Sequence, residues 1–144
     1  MEQNQQLLEQ IQQKFLLKQM PAKEYSPLVL AYIGDGIYDM IVRTIFVSHG
    51  NTQVDKLNKQ ASSVCRASSQ AAIAFAIAPL LTEEETSAYR RGRNAHSPTM
   101  AKHATMADYR RATGFEALMG YLYLKEDYTR MLTLIRMGIG EDIL

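Results

Sequence analysis

Apolar residues recur along this chain at the three-to-four-residue spacing of amphipathic helices. No segment alternates between apolar and polar residues over the length of a strand. The pattern predicts helices over residues 3–19, 27–47, 62–78, 82–91, 106–124 and 128–137, and a short helix after Thr52. Helix-start signals precede three of them: Ser26-Pro27, Thr82 with Glu85, and a capping-box-like Thr52 with Asp55. We therefore expect an all-α protein.

The helix over residues 27–47 carries the most informative stretch, because Asp35 lies between two glycines in an apolar segment. Gly34 and Gly36 each cost a helix interior about 1 kcal/mol relative to alanine. The stripe expected to face the core comprises Val29, Leu30, Ile33, Ile37, Met40, Ile41 and Thr44. The glycines would make room beside Asp35 for a helix, a metal ion or a ligand backbone. Alternatively, Gly-Asp-Gly forms a turn, or Asp35 lies on an ordinary solvated face.

A second helix, over residues 106–124, carries Glu116 between the small residues Ala112 and Gly120, one turn to either side. If this helix packs against the one that carries Asp35, the two carboxylates lie a few ångströms apart. Mg²⁺ binds through one or two protein carboxylates and keeps waters for substrate oxygens. Phosphodiester hydrolysis uses such a site. The alternative is that Glu116 is an exposed helix residue, the commonest place for glutamate.

Basic residues are concentrated between positions 90 and 111. The six are Arg90, Arg91, Arg93, Lys102, Arg110 and Arg111. With Asp108 as its only acid, this segment carries a net charge of +5, and because the whole chain carries +1 the rest carries −4. A local basic loop on a nearly neutral protein fits a polyanion site of limited area, such as the backbone of duplex RNA. The alternative is a solvated run of charge.

Composition narrows the class of protein. A chain of 144 residues with 47% hydrophobic and 22% charged residues is typical of one globular domain, which we expect to span residues 1–144. The single cysteine, Cys65, excludes an internal disulfide and a cysteine-rich zinc site, and we expect it in the core. There is no signal-peptide pattern, and the longest apolar run, residues 71–78, is too short to span a membrane. We therefore expect a cytoplasmic protein without membrane association.

Several other chemistries find no support in the chain. It has no Walker-type phosphate loop and no dinucleotide fingerprint, so we expect no nucleotide cofactor. It also lacks a His-Glu-x-x-His zinc motif, and no histidine is followed directly by aspartate. Phosphodiester chemistry at a carboxylate pair therefore remains the leading enzymatic hypothesis.

Three motifs, in order and at suitable spacing, give the chain a family resemblance. They are Leu30 to Gly36, Arg91 to Ala95, and Tyr109-Arg110 with Phe115 to Leu124. Together they resemble the ribonuclease III catalytic domain, most closely in its short bacterial form. The resemblance covers about residues 26–138. Residues 1–25 form an expected helical arm outside it.

The resemblance implies an all-α homodimer with two active sites in a valley, each cutting one strand of an RNA duplex. Cleavage in the family depends on Mg²⁺, with Mn²⁺ as a possible substitute, and leaves 5′-phosphate ends. Asp35 matches one catalytic, metal-binding acid and Glu116 another. The short form has no double-stranded-RNA-binding domain and matures large-subunit (23S) ribosomal RNA precursor. The residues expected to bind RNA are Arg90, Arg91, Arg93, Asn94, Lys102, Arg110 and Arg111.

The chain departs from full ribonuclease III at two positions. Ala31 and Thr113 stand where that enzyme has a glutamate and an aspartate, so two of four acidic ligands are absent. We expect one weakly held metal ion per site, and we assign no metal to the nearby Asp39. The loss also favours a second hypothesis, a non-catalytic RNA-binding ribosome-assembly factor of the same fold. A third is a helical interaction module that uses the N-terminal arm.

Overall fold

The computed structural model describes residues 6–95 and 105–140, and all regular secondary structure in these ranges is helical. Within them lie α1 (Leu7–Lys14), α2 (Pro27–Val47), α3 (Val54–Cys65), α4 (Ala67–Ile77), α5 (Glu83–Asn94), α6 (Met106–Leu124) and α7 (Tyr128–Ile139). Two short 3₁₀ turns, Ala22–Glu24 and Ala78–Leu80, precede α2 and α5. The all-α fold class is confirmed.

Helix α6 is the centre of the fold. Its most extensive contacts are with α2, α5 and α4. Nearly every residue from Ala112 to Leu122 is buried, as expected of a helix that is apolar all round and packed in a core. Glu116 is the exception, because its side chain stays half-buried on the side where α2 crosses.

Glycines allow the backbones of α2 and α6 to approach each other closely. A Cβ atom on Gly34 would overlap the carbonyl oxygen of Glu116 and lie 2.8 Å from the amide nitrogen of Gly120. A Cβ atom on Gly120 would in turn overlap the carbonyl oxygen of Leu30. Gly34 and Gly120 therefore admit the neighbouring helix as predicted and place Asp35 beside the Glu116 turn of α6, whereas Gly36 faces open space and does not take part in this contact.

The buried face of α2 is not the one that the apolar stripe predicted. Its buried residues are Leu30, Ala31, Gly34, Tyr38, Val42 and Phe46. Val29 and Met40, expected in the core, are 48% and 60% exposed. Because α2 is apolar on nearly all sides, periodicity does not single out the face that packs. The close approach at Gly34 does, and it leaves an exposed apolar stripe formed by Val29, Tyr32, Met40 and Val47.

Two of the three helix starts agree with the sequence signals. The Ser26 hydroxyl accepts a hydrogen bond from the Val29 amide, with Pro27 in the first turn of α2. Thr82 and Glu85 form a full capping box at the start of α5. The third signal was wrong, because α3 begins after Gln53 without a side-chain cap.

The remaining differences concern where helices end. Helices α3 and α4 meet at Arg66, whose extended backbone separates them, so the segment predicted as one helix over 62–78 contains a corner. Helix α1 ends at Lys14, and Leu16 has a φ of 56°, which a continuing helix cannot accommodate. Helices α5 and α7 each extend two to three residues beyond the predicted ends. Helix ends are set by local contacts that hydrophobic periodicity does not encode.

A buried ion pair fixes the C-terminal helix to the start of α5. Arg130 on α7 donates from Nε to Glu85 Oε2 over 2.8 Å and from Nη2 to Glu85 Oε1 over 2.9 Å. Its Nη2 also donates to the Leu80 carbonyl oxygen over 2.6 Å. The Glu85 side chain is almost fully buried, and the hydrogen bonds from Arg130 lower its pKa. One arginine thus holds the glutamate of the capping box and joins two helices.

Candidate active site

The structure brings the carboxyl groups of Asp35 and Glu116 together at the crossing of α2 and α6. Burial, together with the hydrogen bond to Asp35 and the charge of Asp35, raises the pKa of Glu116 to about 8, against a smaller opposing effect of the hydrogen bond to Gln70. Like charges this close disfavour double ionisation, so without a cation the pair retains a proton near neutral pH. A bound cation would replace that proton.

The donor set fits a hard divalent cation with open coordination positions. Mg²⁺ is commonly bound by one or two carboxylates, with waters and substrate phosphates as the other ligands. Across the described parts of the chain, no cluster of three or more histidine, cysteine or acidic side chains is arranged to hold a metal. Asp35 and Glu116 therefore offer two protein ligands and leave most positions to water or RNA.

The positions of the two absent acids are buried and uncharged. Ala31 packs in the core, and the buried Thr113 donates its hydroxyl to the Tyr109 carbonyl of its own helix over 3.0 Å. Asp39, one turn beyond Asp35, pairs instead with Arg43 at 3.0 Å. None of these positions supplies a further carboxylate that is free to join the pair.

Tyr38 on α2 contacts both α3 and α6, the latter at the residue next to Glu116. Its hydroxyl donates to the Val64 carbonyl at the end of α3 over 2.7 Å. Its ring packs edge-on against Phe115, the residue before Glu116, with centroids 5.0 Å apart. Burial raises the pKa of Tyr38 well above its usual range, so the hydroxyl keeps its proton. The contact holds the α3–α4 corner against α2 and α6.

That corner brings two residues to the site that sequence reasoning did not place there. Gln70 on α4 is buried and forms a side-chain hydrogen bond to Glu116. Cys65 is half-buried at the edge of the core, and burial, with the charges of Asp39 and Asp35, raises its pKa to about 11. The available signal was Gln70 itself, a polar residue at the head of the apolar run 71–78.

The basic residues of α5 have different roles in the structure. Arg90 is exposed and, with Asn94, lines a cavity of about 540 Å³ along the outer side of α5. Arg91 bridges to the segment before α2, where its guanidinium donates to the carbonyl oxygens of Lys23 over 3.4 Å and Tyr25 over 3.2 Å. Both arginines are exposed and line this cavity, but Arg91 is also held by two backbone carbonyls.

Of the other predicted RNA-binding residues, Arg93 and Arg111 lie near Tyr89. Arg93 is positioned 5.8 Å above the Tyr89 ring. Burial raises the pKa of Tyr89, and the charges of Arg93 and Arg111 oppose this rise. Arg111 lies five residues before Glu116, about 140° away around α6, so it is not beside the acid pair. Arg110 is exposed on α6, and Lys102 lies outside the described residues.

An all-α fold with an acid pair at one helix crossing and basic residues on α5 and α6 fits an endoribonuclease of the ribonuclease III class, and comparison with known proteins shows that class. The family model for the ribonuclease III domain matches residues 28–127. Mini-ribonuclease 3 of Clostridium tetani is 42% identical over 119 residues, covering 82% of this chain and 79% of that protein. Mini-ribonuclease 3 of Enterococcus faecalis is 45% identical over 119 residues, covering 81% and 90%.

The fold comparison agrees with these relatives. A crystal structure of a protein from Fusobacterium nucleatum has a TM-score of 0.73 and 29% identity to this chain, and the match covers 78% of this chain and 91% of that one. The chain belongs to the ribonuclease III family and, within it, to the short Mini-ribonuclease 3 group.

Membership decides between the classes that the sequence left open. The chain is a hydrolase of RNA, an endoribonuclease, rather than a helical interaction module. The family generally depends on a divalent metal ion and acts on double-stranded RNA. In the described residues, no helix is both long and apolar enough to cross a membrane.

Proposed function

We propose that this protein is a Mg²⁺-dependent endoribonuclease that cuts double-stranded RNA, with Asp35 and Glu116 as the catalytic metal ligands. The observation that supports this most strongly is the meeting of their carboxyl groups at the α2–α6 crossing. Two carboxylates that share a proton at neutral pH form a site that a divalent cation stabilises. Mn²⁺ has the same oxygen preference and is the expected substitute.

In the proposed mechanism the two carboxylates would hold one cation between them. Bound Mg²⁺ would activate a water nucleophile and stabilise charge on the phosphate as the phosphodiester is hydrolysed to a 5′-phosphate and a 3′-hydroxyl. Asp35 and Glu116 hold the cation from two different helices. Gly34 and Gly120 keep those helices close enough for both side chains to reach one point. The Tyr38 contact with Val64 supports this geometry.

We propose that the exposed basic residues hold the phosphate backbone of the duplex. In the described residues these are Arg90, Arg110 and Arg111, with the exposed Asn94 and the half-buried Arg93 beside them. Lys102, which lies outside the described residues, is proposed from the sequence alone. Duplex RNA is recognised largely through phosphates and 2′-hydroxyl groups, for which arginine and asparagine are suitable donors. Arg91 would contribute through the segment that it holds before α2.

A homodimer is the proposed assembly, and the exposed apolar stripe of α2 is its proposed interface. Tyr32 is 81% exposed, and Val29, Met40 and Val47 are each about half exposed or more along the same helix. Contiguous apolar patches on a surface typically mark interaction sites. A second copy packed on this stripe would place two acid pairs close to the dimer axis, one for each strand of a duplex.

We further propose one catalytic domain over residues 26–138, preceded by an arm at 1–25. Helices α2 to α7 share one hydrophobic core, which supports this division. The proposed substrate is 23S ribosomal RNA precursor in the bacterial cytoplasm, as the resemblance to the short form implies. Proteins that bind duplex RNA recognise mainly its shape and its backbone, which suits a substrate defined by a paired segment of the precursor.

The direct test is cleavage of a labelled RNA duplex by Asp35→Asn and Glu116→Gln, with the wild type in Mg²⁺ and in EDTA as references. Asp39→Asn is the matched control, because Asp39 is a neighbouring acid that pairs with Arg43 instead. We expect both site variants to lose cleavage by at least about 10³-fold, while duplex binding in EDTA stays within twofold. Asp39→Asn is expected to keep most of the rate.

Full activity of both site variants would refute the assignment of Asp35 and Glu116. The substrate is tested separately with a 23S precursor transcript, by mapping the 5′ ends produced by the pure protein. Cuts at the mature ends are expected, and they should disappear when the strands that pair there are made non-complementary. Cuts spread evenly over all duplex segments would contradict the proposed substrate.

A further inference from the structure

Gln70 is a polar side chain in an apolar environment. It lies on α4 beside Ala71 and Ala74 and is only 2% exposed. Burying an amide without hydrogen-bond partners destabilises a fold, so buried amides nearly always have a polar partner. The two other buried polar residues reported for the described chain, Glu85 and Thr113, are paired within the scaffold.

The partner of Gln70 is the carboxyl group of Glu116. A glutamine amide that meets a carboxylate donates to it through its N–H. Three helices therefore converge on one carboxyl group: α6 carries it, α2 presents Asp35 to it, and α4 presents Gln70.

The start of α4 is held firmly for this contact. Ser69, next to Gln70, donates its hydroxyl to the Ser63 carbonyl oxygen over 2.6 Å, across the α3–α4 corner. The Tyr38 hydroxyl holds the same corner through Val64 over 2.7 Å. The donor at position 70 is thus placed by contacts on both sides of Arg66 rather than by its own helix alone.

We propose that Gln70 is a positioning residue that orients the Glu116 carboxylate towards the divalent cation it shares with Asp35. The inference rests on the proposed function, because it takes Glu116 as a metal ligand. Groups that hydrogen-bond to metal-binding carboxylates fix their orientation, and their loss typically costs about 10–100-fold in metal affinity. With only two protein carboxylates at this site, the orientation of each has a large effect.

The test is Mn²⁺ binding without RNA, followed by electron paramagnetic resonance, for the wild type and Gln70→Met. Methionine has a similar shape but cannot donate to Glu116. We expect the Mn²⁺ dissociation constant to rise by at least tenfold. Ile73→Val is the matched control, because Ile73 is buried on the same helix but packs towards Gly138 on α7. It should lower the unfolding temperature and change the dissociation constant by less than twofold.

A second comparison separates orientation from packing. In a Glu116→Gln background, adding Gln70→Met should weaken Mn²⁺ binding no further. In cleavage assays, Gln70→Met should recover its rate at high Mg²⁺ with an unchanged KM for duplex RNA. An unchanged Mn²⁺ dissociation constant for Gln70→Met, or a wild type that binds no Mn²⁺, would overturn the inference. Gln70-dependent Mn²⁺ binding without any RNA cleavage would instead support the inference and refute the proposed function.

Discussion

Gly34 on α2 lies against the backbone of Glu116 on α6, so that a methyl group added at position 34 would overlap the Glu116 carbonyl oxygen. The residue before one candidate metal ligand therefore contacts the main chain of the other. The distance between the two helices and the distance between the two carboxylates are set by the same contact. A change in this packing will therefore affect both the stability of the fold and the chemistry of the site.

Gly34→Ala should destabilise the protein and reduce cleavage together. Forcing a side chain into a packed contact typically costs about 1–3 kcal/mol, and here the obstacle is backbone that cannot rotate away. Urea unfolding monitored by circular dichroism measures the loss, with single-turnover cleavage measured in parallel. The unfolding measurement is best made in a Tyr32→Glu background, so that association through α2 does not contribute, whereas cleavage is compared in the otherwise wild-type protein.

Gly36→Ala in the same background is the matched control. A Cβ at Gly36 meets no atom within 4 Å, and alanine is the better helix former by up to about 1 kcal/mol. We expect equal or greater stability for this variant. A Gly36→Ala variant as unstable as Gly34→Ala would show that helix conformation, not the α2–α6 contact, requires the glycines.

The metal-free protein should lose stability as the pH rises from about 4.5 to about 8. In this window the unfolded chain has lost the Glu116 proton, whereas the folded protein, in which the pKa of Glu116 is raised to about 8, still holds it. Each unit of pKa difference corresponds to about 1.4 kcal/mol. Thermal unfolding in EDTA across this pH range measures the trend.

Glu116→Gln should remove that trend, because glutamine does not ionise. The variant should unfold at a higher temperature than the wild type at pH 8 in EDTA and at a similar temperature near pH 4.5. Glu24→Gln, at an exposed glutamate, is the control and should follow the wild type. If the wild type and Glu116→Gln had parallel pH profiles, the carboxyl pair would not share a proton.

Arg130→Ala should destabilise the protein by about 3 kcal/mol. The substitution leaves the almost fully buried Glu85 carboxylate without the two hydrogen bonds that it accepts from Arg130. Since these bonds lower the pKa of Glu85, their contribution is present above its ordinary pKa and is lost as the pH falls through the lowered value. The stability difference between wild type and variant should therefore shrink under acid conditions.

Lys125→Ala provides the comparison for a surface ion pair. Lys125 contacts Glu84 at 3.2 Å, but both side chains are largely exposed to solvent. Surface pairs contribute little, so its free energy of unfolding should stay close to that of the wild type. Equal losses in the free energy of unfolding from Arg130→Ala and Lys125→Ala would mean that the Arg130–Glu85 pair stabilises the fold no more than a surface ion pair does.

Arg90→Ala and Arg91→Ala should have different effects, although the residues are adjacent. Arg90 is exposed, so Arg90→Ala should weaken duplex binding, lower the slope of log affinity against log salt by about 1, and leave the unfolding temperature unchanged. Arg91 donates to the carbonyls of Lys23 and Tyr25, so Arg91→Ala should lower the unfolding temperature. Filter binding at several salt concentrations and thermal unfolding distinguish the two.

Tyr32→Glu should convert the proposed dimer to a monomer without unfolding it. The side chain is 81% exposed within one chain, so a charge there costs the fold little but would be buried in an interface along α2. Light scattering at micromolar concentration measures the mass. Phe75→Glu, at an exposed aromatic residue on α4, is the control and should leave the mass unchanged. A monomeric wild type would contradict the proposed assembly.

Local signals in the sequence were sufficient for several features of the structure. The caps at Ser26 and Thr82 depend on residues three positions away, which the sequence displays directly. The small residues around Glu116 correctly indicated a close helix contact. The family motifs linked Asp35 and Glu116 without knowledge of how the helices pack.

Other features depended on contacts between distant segments. The face of α2 that is buried could not be read from a helix that is apolar on nearly all sides, and the contact at Gly34 decided it. Arg91 was grouped with the RNA-binding residues because its charge is visible, whereas its carbonyl partners lie more than 60 positions away. Gln70 reaches Glu116 only because the chain turns at Arg66.

Neutral side chains at Ala31 and Thr113 have a consequence for the order of events in catalysis. On the proposed assignment, a centre with half of the usual acids relies on phosphate oxygens from its own substrate to complete the coordination of the cation. Coupling between two ligands is thermodynamically reciprocal, so the duplex recruits the ion as strongly as the ion tightens the duplex. Such an enzyme holds its cation weakly between turnovers and completes its reactive centre only when RNA is bound.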